Sequence, residues 1–228
     1  MQIILFLFFY VIQIYSETHN YYGEATDQKT NIKIYTDKYF DQIENNKKNS
    51  SVIEYHDQQQ RIIAKKNVNF TKNRNLPDFK LEDFRDGYME GGEIIGNQYK
   101  LYYKKNKNDI LNERILEIKP NAVTNDGLDQ LIKSNFEELL NGKKIKVYFY
   151  VPYQLDFYKF TVEKVKMTEK ELFIKVAIDI DILKPFISNT YITYNIENKK
   201  IIYYEGISII NNSNGRSYFI KHNYFHNE

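Results

Sequence analysis

The chain has no cysteine among its 228 residues. That absence excludes disulfide staples, a thiol nucleophile and attachment of a lipid behind a leader, and it fits a bacterial envelope protein or another disulfide-free fold better than a eukaryotic secreted domain. Nor is there an excess of one charge. Thirty-two basic side chains face thirty acidic ones, for a net charge of +2, and the signs are interspersed. No electrostatic footprint for nucleic acid follows from such a balance. The lysine-rich pieces at 46–49 and 104–108 read as solvated turns. The chain also lacks a Gly-x-Ser-x-Gly elbow, a phosphate-binding loop and a dinucleotide fingerprint. Its four histidines, His19, His56, His222 and His226, show no ligand spacing. No cofactor or metal is implied, and neither an internal repeat nor an interdomain linker is present.

A long hydrophobic run occurs once, at the start. From Ile3 to Tyr15 only Gln13 interrupts it, which suits the core of a secretion signal and falls short of the ~20 residues that span a bilayer. Ser16 is small enough to precede a cleavage site. We therefore read residues 1–16 as a signal peptide lacking the usual basic beginning, and residues 17–228 as one domain that is periplasmic or secreted, with no stable transmembrane segment. The competing reading of the run is a buried strand rich in Phe and Ile. The roughly 210 remaining residues suffice for a sizeable core without disulfides.

Period-two alternation dominates the rest, the mark of half-buried strands. One hairpin pairs Ser51–His56 with Arg61–Phe70 across Asp57–Gln60, and a second pairs Tyr88–Ile95 with Gln98–Tyr103 across Gly96-Asn97, a two-residue connection of the kind tight hairpins use. Residues 73–77 between them are irregular. The period then changes. Leu128, Leu131, Ile132, Phe136, Leu139 and Leu140 form one helical stripe, opened by Thr124-Asn125-Asp126 and closed by Asn141-Gly142, so a helix is predicted over 124–141. Strands resume at Ile145–Val151 and Asp156–Val162, and six aliphatics alternate from Leu172 to Ile182. Three further strands follow at Tyr191–Ile196, Ile201–Ile210 and Ser217–Phe225. The fold class is mainly β (α+β): an antiparallel meander forming a curved sheet or half-barrel with one packed amphipathic helix. Such a barrel either encloses an apolar hollow or is filled by its own side chains and the helix.

Three segments, Leu81–Glu93, Val151–Phe160 and Ile192–Ser208, resemble an uncharacterised family of exported proteobacterial proteins, a domain of unknown function, over about residues 55 to 225. The closing hairpins are similar in architecture to periplasmic lipoprotein-localisation carriers, half-barrels that hold acyl chains. Neither resemblance carries a functional residue over to this chain.

The densest polar cluster is Glu82, Asp83, Arg85, Asp86, Glu90 and Glu93, interleaved with Phe84, Tyr88 and several glycines. Carboxylates in such number could perform acid and base work on a glycan or bind a cation through oxygen. Regular pairing would put Glu90 and Glu93 on opposite faces, whereas a bulge at Gly91-Gly92 would bring them together. The structural alternative pairs Arg85 with Asp83 or Asp86. Asp156, set among aromatics near Tyr153 and Tyr158, would order a hydroxyl network. Glu205, in a strand of Ile and Tyr, would carry a raised pKa or a basic partner such as Arg216 or Lys221 if it faced the interior. Asp179 and Asp181 read as a solvent face. The candidate ligand-binding residues are thus Asp83, Arg85, Asp86, Glu90, Glu93, Asp156 and Glu205. The expected function is non-enzymatic binding of a lipid or other apolar or amphiphilic ligand, or of an envelope protein partner. The alternatives are an exported glycan hydrolase using the Glu82–Glu93 carboxylates, and a structural interaction module.

Overall fold

The computed structural model describes residues 16–183, 187–212 and 215–226. The apolar run at 1–15, and with it the signal peptide read from it, lies outside the described residues. Fifteen strands form a single sheet: β1 (Ser16–Asp27), β2 (Lys33–Glu44), β3 (Lys47–His56), β4 (Ile62–Asn69), β5 (Asp78–Asp83), β6 (Met89–Ile95), β7 (Gln98–Lys104), β8 (Asn112–Glu117), β9 (Ala122–Val123), β10 (Ile145–Val151), β11 (Asp156–Met167), β12 (Glu171–Ile178), β13 (Thr190–Asn195), β14 (Ile201–Asn211) and β15 (Ser217–His226). Two helices, α1 (Asn125–Ser134) and α2 (Phe136–Leu140), lie between β9 and β10.

The strand order is that of two meanders, β1 to β8 and β9 to β15, joined by antiparallel pairing of β1 with β15. Every neighbouring pair is antiparallel except β9 with β10. The sheet curves strongly. Register shifts at Ala25/Thr26, Gln42/Ile43, Tyr55/His56, Lys164/Lys166, Thr193/Tyr194 and Ile207/Asn211 bend it repeatedly, as bulges do. The two ends of the sheet come face to face without forming a ladder. Instead the Tyr150 hydroxyl donates to the Glu117 carbonyl, the Lys119 amide donates to the Tyr150 oxygen at 3.1 Å, and Arg114 pairs with Asp156 at 3.0 Å. Side-chain contacts rather than a backbone ladder bridge this seam, and the sheet stays open there.

The helical stripe read from the sequence packs as its spacing requires. Leu128, Leu131, Ile132, Phe136 and Leu139 are buried against Val147, Val162, Leu172, Ile174 and Val176 of the strands that follow. Thr124 caps α1 by accepting the Gly127 amide at 3.3 Å. The predicted single helix is broken at Asn135, whose side-chain amide donates to the Leu131 carbonyl at 2.8 Å and competes with the helical ladder. The irregular segment 73–77 holds the start of α1 inside the barrel. There the Asn75 carbonyl accepts the Thr124 amide at 3.2 Å, and Leu76 is fully buried. Among the described residues no helix is long and apolar enough to cross a membrane.

Five strands have no counterpart in the sequence reading: β1, β2, β5, β8 and β9. The inward positions of β1 and β2 carry Gly23, Ala25, Tyr35, Asp37, Tyr39 and Asp41 rather than aliphatics, so apolar alternation does not reveal them. The aliphatic series beginning at Leu172 ends as a strand at Ile178. Asp179 pairs there with Lys146 at 3.2 Å, and Ile182, in a short 3-10 turn, is exposed.

Candidate functional site

Because the meander is antiparallel, alternate connections gather at one end. Those joining β1 to β2, β3 to β4, β5 to β6, β7 to β8, β10 to β11, β12 to β13 and β14 to β15 share it. Into this end opens a cavity of about 400 Å³ within the barrel, a volume in the range of small-molecule sites. Pro152, Tyr153 and Gln154 stand at its mouth with Ile187 and Ser188 opposite, and its walls are built from Phe149, Phe160, Val176, Ile178, Leu128 and Phe79. Exposed apolar side chains ring the same end: Ile32, Ile62, Phe84 and Ile110 each crown a connection or flank one.

Part of the lining is polar. Lys66 is 1% exposed and pairs with Asp126 at 2.6 Å, with its ammonium 4.6 Å from the centre of the Phe79 ring. Glu90 and Thr124 line the cavity with it. The Tyr88 hydroxyl donates to Glu90 Oε2 at 2.6 Å. Burial pushes the Glu90 carboxyl above its ordinary value, outweighing the opposing effects of the Tyr88 hydrogen bond and the Lys66 charge. A buried acid of this kind stays neutral further up the pH scale and can then donate a hydrogen bond. Tyr88 is itself raised by burial and by the Glu90 charge.

A second hollow of about 150 Å³ lies on the other side of α1, among Tyr21, Tyr35, Tyr55, Tyr194, Asp37 and His222. Its walls are locked by hydrogen bonds: His222 to Asp37 at 2.9 Å, Tyr39 to Asp37 at 2.9 Å, and Tyr35 with Ser208 at 3.1 Å. Burial raises Tyr21, Tyr35, Tyr39 and Tyr55 well above the ordinary phenol range, so all four remain neutral donors. This interior is a hydrogen-bonded network rather than an apolar hole.

Of the candidate ligand-binding residues read from the sequence, Glu90 alone lines this cavity. Asp83 is buried and accepts two hydrogen bonds from the Arg85 guanidinium, at 2.9 and 2.5 Å, while Arg85 also donates to the Asn211 carbonyl at 2.8 Å. Asp86 accepts the Tyr88 amide at 2.9 Å within the β5–β6 connection. Glu93 lies on the outer face, paired with Lys100 at 2.7 Å. No bulge occurs at Gly91-Gly92, since β6 keeps regular register with both neighbours. The two glycines serve close approach instead, Gly91 to the Tyr102 ring and Gly92 to the Tyr99 ring. Glu90 and Glu93 consequently project from opposite faces. Asp156 is drawn to Arg114 across the seam rather than to Tyr153 or Tyr158. Glu205 accepts from Gln28 at 2.6 Å and Tyr203 at 2.8 Å, and it stands opposite Lys221 in the ladder on the outer face.

Lys66 and Asp126 escape the sequence reading as a site. Their signal is present: Lys66 is in phase with Ala64, Val68 and Phe70, the buried face of its strand, and a lysine there requires a partner. Asp126 reads in the sequence only as a capping residue. Among the described residues no group of three or more His, Asp or Glu is placed to hold a metal ion.

No protein-family model matches the chain, and no curated protein matches it. The crystal structure of a beta-barrel-like protein of domain of unknown function DUF1849 from Brucella abortus is similar in fold, with a TM-score of 0.47 and 8% identity over 92% of this chain and 98% of that one.

Proposed function

We propose that the protein is an exported envelope protein that binds an apolar or amphiphilic ligand inside its barrel without transforming it. Export is supported by the apolar leader ahead of the domain. Binding is supported chiefly by one observation, the cavity of about 400 Å³ with aromatic and aliphatic walls and a mouth at the loop end. The space and its apolar walls suit an alkyl chain. At about 0.8 kcal/mol per buried methylene, such a chain binds well without a precise polar constellation. The apolar side chains around the mouth favour delivery of the ligand from a lipid surface. Glycan hydrolysis needs two carboxylates converging on one bond, a requirement that Glu90 and Glu93 on opposite faces do not meet.

Titration with a fluorescent acyl probe tests the reading. Saturable binding to the wild type, abolished in an Ile178→Trp variant that fills the cavity and still unfolds cooperatively, is the expected result. Absence of saturable binding, or equal binding by the filled variant, would overturn it.

A further inference from the structure

The polar part of the cavity lining offers donors to a ligand. Asp126 Oδ2 lies 2.6 Å from the Lys66 ammonium as an ion pair and accepts no hydrogen bond. Glu90 accepts the Tyr88 hydroxyl on one oxygen. Thr124 accepts the Gly127 amide on its hydroxyl oxygen, which leaves the hydroxyl hydrogen to donate. The first turn of α1 begins beside these residues, and its amide ends carry the positive end of the helix dipole. Glu90 Oε2 and the Thr124 hydroxyl oxygen are occupied as acceptors and Asp126 Oδ2 faces the Lys66 cation, while N–H and O–H hydrogens of Lys66 and Thr124 remain to donate. The geometry points to a ligand with an oxyanion head, carboxylate or phosphate monoester, received by Lys66 and Thr124, and an alkyl chain lying between Phe149, Phe160 and Ile178. The neutral form that burial favours for Glu90 adds a further donor and removes a repelling charge. A buried lysine that met no ligand would be a costly choice, since a well-packed apolar side chain would serve stability as well or better.

The inference rests on the amphiphile-binding reading above and is separable from it. Calorimetric titration of the full chain with dodecanoate, dodecyl phosphate, dodecanol and dodecyltrimethylammonium compares four heads on one chain length. One or both anionic amphiphiles bind at least about tenfold more tightly than the neutral and cationic ones, the worth of one charge-assisted hydrogen bond. Which of the two anions leads distinguishes a fatty acid from a phosphate-bearing lipid. The paired substitution Lys66→Met with Asp126→Asn, which removes the cation without orphaning its partner, brings the anions down to the affinity of dodecanol, and Lys66→Arg keeps the preference. Binding without discrimination among heads, a preference for the cation, or an anion preference that survives the paired substitution would overturn the inference while leaving amphiphile binding intact. Failure of all four to bind would overturn both.

Discussion

His222 and Asp37, 185 positions apart in the chain, meet inside the barrel with Nε2 2.9 Å from Oδ1. Both are almost fully buried, and Gly23 on the intervening strand β1 leaves the room they occupy: a methyl group there would overlap His222 Cε1 and Asp37 Oδ1. The pair spans the junction where the first strand meets the last, so it ties the two meanders together. Gly23→Ala should destabilise the fold by about 1–3 kcal/mol, the cost of overpacking a well-filled interior. Urea unfolding followed by circular dichroism checks this, and a variant as stable as the wild type would refute it.

Helix α1 depends on a similar close approach. A side chain at Gly127 would collide with the Asn75 carbonyl. In an ordinary helix, glycine to alanine gains about 1 kcal/mol. Here Gly127→Ala should reverse the sign, costing about 1–3 kcal/mol as the helix is lifted from the 73–77 segment. The sign of the change in thermal midpoint decides the matter.

The seam rests on the Tyr150 hydroxyl, which serves the Glu117 carbonyl and the Lys119 amide together. Tyr150→Phe keeps the ring against Tyr99 and removes both bonds. A loss of about 1–3 kcal/mol is expected from the backbone groups left unsatisfied, with faster hydrogen exchange concentrated in Asn112–Glu117. Exchange that speeds up uniformly, or not at all, would show that the seam is held otherwise.

Glu90 gives a pH signature. Its folded-state pKa is raised above the ordinary 4.5, chiefly by burial, so the native state holds this proton more tightly than the unfolded chain does. Stability from this group is therefore complete below about pH 4.5 and is lost as pH rises towards the folded value. Glu90→Gln, which keeps an acceptor for Tyr88, removes the loss. Variant and wild type should unfold alike in acid, and the variant should be the more stable at neutral and alkaline pH. A constant difference across the range would contradict this assignment.

Much of this architecture is legible in the residues, and the illegible parts have physical causes. The strands β3, β4, β6, β7 and β10 to β15 and the helix stripe are legible because apolar residues predominate on their inner faces, while β8 and β9 bury too few residues for alternation to show. Strands β1 and β2 hide because the interior they face is a hydrogen-bonded network of tyrosine, aspartate and histidine, in which polar residues do the packing. Leu128 to Leu139 announce a helix, but the break at Asn135 depends on its own side chain reaching back to Leu131, which spacing alone does not reveal. At the site, Glu90 stands out in the sequence as one member of an acidic cluster. The cluster itself dissolves in three dimensions: Asp83 and Arg85 brace a turn, Asp86 caps it, and Glu93 pairs outward with Lys100. Lys66 draws no separate reading in the sequence, and only its phase with Ala64 and Val68 marks it as internal.

Native mass spectrometry of the full protein, purified without detergent from the cells that make it, tests ligand binding most directly. A population carrying one bound amphiphile, released on activation and absent from the Ile178→Trp variant, is the predicted result. A spectrum showing only the bare chain, with no uptake of added dodecanoate, would contradict it.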